Sequence, residues 1–463
     1  MSTTALPRRA GFRRNITAES TPSTTANSVA STPDESPTGS ASSTSLSSLG
    51  SVEESDKVPE QMLFDSYGNE FKMPDYTIKD IRDAIPKHCF ERSAIRGLGY
   101  VARDLASLAG VFYVFNAYCT PEYVPSYALR ATLWAGYTMI QGIFGTGLWS
   151  WRTIPYFSWK ISHGKHHKAP GNLERDMVFV PRTREEHATL KGYVLHEMHE
   201  LFEETPIFTA GNLLAQQLFG WPMYIFANIS GHNNHIKQPE GKGVGKKNGN
   251  FSVNHLSTSS PLYERKDEHL ILLSDLGLLI TLSILTMVGR AYGFNAVLVW
   301  YIIPYFWVHH WLVAITYLQH TDPSLPHYTG ETWNFARGAA ATIDREFGFI
   351  GRQLFHGIIE THVLHHYVSV IPFYHADEAS EAIKTVMGQH YRADVEGGSI
   401  GFLKSMYKSA RWCQWVEPNE GAKGDAANVM FYRNRNGFGM PPAKLSATKS
   451  RNGMTLEYEG DSE

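Results

Sequence analysis

Cysteine is scarce in this chain. Its three copies in 463 residues, Cys89, Cys119 and Cys413, form no C-x-x-C pair and no even-numbered framework. That excludes a disulfide scaffold and fits a reducing cytosolic face or a membrane interior. Charge of one sign is equally lacking: 42 Lys and Arg stand against 45 Asp and Glu, with no Arg-rich stretch interleaved with aromatics. Nucleic acid is therefore not an expected partner. The opening MSTTALPRRAGFRRNITAES carries Arg and Ser/Thr but no apolar core, which excludes a secretory signal peptide there. Histidine is plentiful at 21 copies, yet none falls between positions 89 and 162.

What is present is patterned. Residues 1–60 are rich in Ser, Thr, Pro and acids and poor in large apolar groups, too little to offset the entropy of ordering them, so a disordered polar tail is expected. Thr77 followed by Asp80 resembles a capping box, and Pro86 stops the helix it begins; this short amphipathic helix is expected on a membrane surface. Apolar runs then follow at 96–117, 127–149, 269–290 and 294–319. Arg103 and Asp104 push the start of the first crossing later, giving expected spans at 105–119, 127–149, 269–290 and 294–319. A further run, 207–229, is interrupted by Gln216, Gln217, Gly220 and Pro222.

Two histidine clusters share one spacing, H-x-x-H-H: His163, His166 and His167, then His362, His365 and His366. On a helix the first imidazole lies one turn from the other two, so all three share a face. If the 207–229 run crossed the bilayer, the clusters would sit on opposite sides, so parity assigns that run to an interfacial or re-entrant position. Lys165, Lys168, Arg175, Lys237, Lys242, Lys246 and Lys247 make the intervening loops basic, which points both clusters to the cytosol. The expectation is an all-α integral membrane protein: four transmembrane helices in two hairpins, plus a cytosolic helical cap carrying the histidines.

Structural zinc needs four ligands and usually includes Cys, whereas this excess of His at the ends of membrane helices argues for two metals with open positions. Imidazole suits Fe, Zn, Cu and Ni, so the ligands alone do not name the metal. A di-iron centre can activate dioxygen, the oxidant needed to attack an unactivated C–H bond of a lipid chain.

From about Tyr76 to Pro442 the chain resembles the membrane-bound fatty acid desaturases, most closely the fungal Delta-12 (oleate) type. The resemblance rests on IRDAIPKHCFERS, PYFSWKISHGKHH, ERDMVFVPRTREE, GHNNH, LQHTDPSLPHY, GAAATIDREFGFI, HGIIETHVLHH, IPFYHADEASEAIK and CQWVEPNEGAKG. It implies a multi-pass endoplasmic-reticulum enzyme with its catalytic face in the cytosol, a desaturase domain over 61–420 and a cytosolic tail over 421–463. Two non-haem irons, O2 and electrons from cytochrome b5 and its reductase would introduce a second cis double bond into an oleoyl chain of a membrane lipid. No HPGG-type haem motif is present, so the donor would be a separate protein. A homo-oligomer is compatible with the family.

Carried over residue by residue, His163, His166 and His167 match the second histidine box and His362, His365 and His366 the third, with His320 in TYLQHT as an additional ligand. Asp176, Asp344 and Glu360 are candidate carboxylates to accept the far N–H of a ligating imidazole, or equally to pair with a neighbouring Arg. His196 and His199 read as a solvated helix face, and His232 and His235 as interfacial structure. The family's first box, an H-x-x-x-H type motif after the second span, has no counterpart in this sequence. Seven candidate ligands remain, and losing two metal ligands is more severe than losing a hydrogen-bond partner of one, itself worth about 10- to 100-fold in affinity or activity. Little or no desaturase activity is the expected consequence. The alternatives are a non-catalytic isoform pairing with an intact desaturase, and an omega-3 desaturase or hydroxylase. A zinc-binding or transport protein ranks last, because the spans offer few polar residues beyond Asp275, His309 and His310.

Overall fold

A computed structural model describes residues 61–148, 154–191, 205–232, 253–450 and 453–458. The fold is mostly helical. The capping box forms as expected: the Thr77 side chain accepts from Asp80 N while the Asp80 carboxylate accepts from Thr77 N, and helix Ile78–Ala84 ends just before Pro86.

Three helices among the described residues are long and apolar enough to cross a membrane: Ala94–Tyr118, Arg265–Tyr292 and Phe294–His320. Tyr127–Gly147, expected as the second span, is not among them, because Gly, Thr, Gln141 and Arg130 dilute its hydropathy. The first helix begins at Ala94, where Ser93 caps it, and runs to Tyr118 through most of the stretch expected to cross, 105–119. Its charges cause no break because the fold satisfies them. Arg103 donates to the Gln353 carbonyl at 2.7 Å, and buried Asp104 pairs with Arg103 and with His356 Nε2 at 2.8 Å.

Ala94–Tyr118 packs on Tyr127–Gly147, and Gln141 Nε2 donates to the Leu108 carbonyl at 2.9 Å between them. The last long helix opens with a short α segment, Phe294–Val297, then widens to a π-turn over Leu298–Ile302 before Ile303–His320. Pro304 supplies the cause, since it has no N–H for the regular ladder and its ring crowds the preceding turn. Helix Pro206–Ala227, which carries Pro222, lies against Ile303–His320 with Gly220 facing Val313.

The all-α expectation needs correction, because the mostly helical fold also contains short strands. His327–Tyr328, Val429–Arg433 and Trp415–Pro418 form a three-stranded antiparallel sheet, so part of the expected 421–463 tail is a sheet strand. Asp344–Arg345 pairs in parallel with Ala393–Asp394. Fully buried Arg345 donates to Asp322 at 3.0 Å, to Asp394 and to the Leu318 carbonyl at 2.8 Å, anchoring the turn just past His320. Ile81, Ile85 and Cys89 from the N-terminal segment pack in one core with Val363, Leu364, Ile383 and Met387. That core fixes the short helix His362–Tyr367.

Candidate metal centre

Helix Tyr156–His166 carries His163 and His166, and His167 follows as its C-cap. Trp159, one turn before His163, stacks on that imidazole with ring centroids 4.5 Å apart. His320 is the last residue of Ile303–His320. His362, His365 and His366 lie on a helix of six residues, too short to hold its own shape, and its start is fixed by the Asp344 carboxylate accepting from Val363 N at 2.8 Å.

All seven rings meet. Nitrogens of His163, His167 and His365 lie within 4.8 Å of one another, and so do those of His166, His320 and His366. Each triad draws on both boxes. His320 Nε2 also faces His362 Nε2 at 3.0 Å and His166 Nε2 at 3.3 Å, while His163 Nε2 faces His167 Nε2 at 3.0 Å.

Burial and the neighbouring imidazoles hold His163, His362 and His366 well below the usual imidazole value. The same causes depress His167 to about 2 and His365 to about 4. These rings are therefore neutral at pH 7, the state in which an imidazole lone pair can bind metal. A neutral imidazole has one donor and one acceptor nitrogen, so the three Nε2 atoms meeting at His320 cannot all satisfy one another as hydrogen bonds. Among the described residues, His167 Nδ1, His362 Nδ1 and both nitrogens of His366 are buried without a partner. This donor set fits two imidazole-bound metal ions.

Asp176 Oδ1 accepts from His166 Nδ1 at 2.5 Å, which leaves Nε2 of that ring free to face His320. Asp176 is itself fixed by Gly171 N at 2.9 Å and Met177 N at 2.6 Å. Asp344 and Glu360 are placed differently from the expected imidazole partners. Asp344 takes Val363 N and the Tyr391 hydroxyl, and Glu360 takes Phe347 N at 3.0 Å. Burial pushes both carboxyls up to about 7. Their bonds to backbone shape the loops around the third box. His232 donates its backbone N–H to the Asp176 carbonyl at 3.3 Å, beside the centre, whereas His196, His199 and His235 lie outside the described residues. So do residues 149–153, the interval that precedes the second box.

Five of these histidines, His163, His166, His320, His362 and His365, line one wall of a cavity of about 550 Å³, within the usual range of ligand sites. Its other walls are apolar: Trp221, Leu312, Val313, Ile315 and Phe355 with Tyr224 and Thr316. The sequence reading missed three residues here. Trp159 sits at i−4 to His163, a spacing that could have flagged it. Phe179, held at φ 53°, stacks over His320, and His356 lines the cavity while paired with Asp104. No local signal marked either of these.

Residues 131–397 match the fatty acid desaturase family. The chain belongs to that family. Fatty acid desaturases are oxidoreductases, and the curated relatives span most of the chain. It is 53% identical to an oleate hydroxylase of Claviceps purpurea over 446 residues, covering 90% of this chain and 94% of that protein. A Delta(12) fatty acid desaturase of Mortierella alpina is 37% identical over 403 residues, 80% of this chain and 93% of the other. An oleoyl-12-hydroxylase of Ricinus communis is 35% identical over 388 residues, 78% and 92%. An alignment of 446 positions that takes in only 90% of a 463-residue chain includes positions where the Claviceps protein has residues and this desaturase-family chain has none. The histidine-free interval before His163 is in keeping with such a gap.

Proposed function

We propose that this protein oxidises an oleoyl chain at the Delta-12 position, introducing a double bond, with O2 and electrons from cytochrome b5. The observation that carries the reading is the meeting of two histidine triads, each with two members lining a mostly apolar cavity. His163, His167 and His365 would hold one iron and His166, His320 and His366 the other, with His362 beside His320. Bound iron would supply activation of dioxygen. The chain's own residues do the rest: the cavity takes the acyl chain and excludes water, Asp176 holds the His166 tautomer, and Trp159 fixes the His163 ring.

The proposed site is the endoplasmic-reticulum membrane, with Tyr127–Gly147 as a fourth crossing, Pro206–Ala227 confined to one side, and the cap in the cytosol. Exposed Lys168 and Arg182, near the second box, suit an acidic donor surface. Lys165 and Arg184 are engaged internally, with the Leu262 carbonyl and with Ala443 and Glu417. Hydroxylation is the second reading, favoured by the 53% identity to an oleate hydroxylase.

Expression in a host that makes oleate but no linoleate separates these readings by fatty acid analysis. Linoleate marks the desaturase and a 12-hydroxy acid the hydroxylase. Trace product is expected, because the first box is absent. Inserting the relatives' first-box segment between Trp149 and Pro155 is expected to raise it by at least tenfold. Product from the unaltered chain at the level of an intact relative overturns the need for that box. No product of either kind after insertion overturns acyl oxidation and favours a non-catalytic isoform.

A further inference from the structure

A second ligand cluster lies outside the histidine triads. His88 and Cys89 sit in the short 3-10 turn Lys87–Phe90, ahead of the first span, while His375 and Glu378 open helix Ala376–Met387, beyond the third box. Nearly three hundred residues of sequence separate the two pairs. The fold brings one ligand atom from each of the four to within 4.8 Å of the others. His88 Nε2 is 2.9 Å from the Glu378 carboxylate and 3.7 Å from Cys89 Sγ, and the His88 and His375 rings lie 5.9 Å apart, edge to face.

We propose that His88, Cys89, His375 and Glu378 form a structural zinc site that clamps the segment before the first span to the helix after the third box. The donor set is one thiolate, two imidazoles and one carboxylate, each a ligand type that zinc binds, and four in number as a closed tetrahedral site requires. Tetrahedral zinc at its usual bond lengths puts neighbouring N, O and S ligands about 3.3–3.7 Å apart, a spacing that atoms already within 4.8 Å of one another, with His88 and Cys89 at 3.7 Å, reach by small side-chain shifts. Zn2+ with one thiolate and one carboxylate is a neutral unit, so it can sit at the edge of a core without leaving an unpaired charge. On binding, the Cys89 thiol releases its proton to solvent as the S–Zn bond forms.

Exposure is graded as such a site requires. Cys89 is fully buried in the core beneath the third box, whereas the His88 and Glu378 side chains are about half exposed, which gives the ion a path in. Two observations set this cluster apart from a chance surface group. Its cysteine lies in the hydrophobic core rather than on the surface, and it joins two elements that pack against each other. The clamp would hold Ala376–Met387 against the N-terminal segment, and through their common core with Val363 and Leu364 it would steady the helix bearing His365 and His366.

The test is elemental analysis of the full chain purified in detergent, beside Cys89→Ser, His375→Gln and Glu378→Gln. The last two change side chains at the rim of the core and are expected to leave the fold intact, so the result does not depend on Cys89→Ser folding. The wild type is expected to carry one zinc per chain more than His375→Gln or Cys89→Ser, with iron content the same in all. Cobalt exchanged into the wild type is expected to show a thiolate-to-cobalt absorption band that Cys89→Ser lacks. Equal zinc in all four proteins overturns the site, as does a cobalt spectrum without a Cys89-dependent band. The site stands apart from acyl oxidation: zinc content reports on it whether or not product is made.

Discussion

His166 shows how one buried side chain is set from both ends. Asp176 Oδ1 accepts a hydrogen bond from its Nδ1 at 2.5 Å, so Nε2 is the nitrogen left to face His320. Asp176→Asn keeps the size but removes the charge and allows an amide donor to point at the ring, inverting the tautomer. Loss of about 10- to 100-fold in iron affinity is expected, measured as iron retained against a chelator. An unchanged chelation curve would show that Asp176 serves the loop rather than the ring. The HGKHH pattern exposed His166 in the sequence because helical spacing is local. The carboxylates were harder to assign, since an Asp or Glu near a histidine in sequence can equally bond a backbone N–H, as Asp344 and Glu360 do.

Between elements, close approach decides more than hydropathy. At Gly142 an added Cβ would fall 2.2 Å from Trp307 Cβ, an atom next to the backbone that cannot swing away. Gly142→Ala gains about 1 kcal/mol in helix propensity but forces Tyr127–Gly147 and the last long helix apart, at a cost of about 1–3 kcal/mol. A net fall in melting temperature in detergent is expected, with shrinkage of product yield as the cavity wall shifts. A rise in melting temperature would contradict close contact between Gly142 and Trp307. The capping box at Thr77 and the stop at Pro86 were legible because both act within four residues. How the first long helix accommodates Arg103 and Asp104 was not, because the groups that satisfy them, Gln353 and His356, lie about 250 residues further along the chain.

For the molecule as a whole, buried neutral histidines outside the two triads set a pH limit. Burial holds His255 at about 4 and His327 at about 3, and His255 Nε2 meets Ser162 Oγ at 3.1 Å. In the unfolded chain both titrate near the usual imidazole value of about 6.5, so the unfolded state binds more protons below that pH. Stability is then full above about pH 6.5 and falls as pH drops toward 4, by at most about 1.4 kcal/mol per pH unit for each ring. Thermal melts from pH 7 to 5 are expected to show this slope, and His255→Gln to flatten it; identical slopes in the two proteins would contradict the assignment. Restoring the first-box segment tests the same scale from the side of function, since it asks whether the remaining site needs only its absent part.

Helical spacing, the apolar runs and the H-x-x-H-H repeats are short-range patterns, so the sequence by itself determined the two histidine clusters, the family and the cap of the first short helix. It also showed, by an interval without histidine, that the family's first box has no counterpart. What needed tertiary structure was which nitrogens converge. Each triad mixes residues from both boxes, and His320 joins one of them, because three helices of different origin end at the same place. The cavity, the satisfied charges of the first helix and the His88, Cys89, His375 and Glu378 cluster depend likewise on packing between distant segments. Neighbouring residues can specify a helix face, but only the packed core brings two such faces within bonding distance.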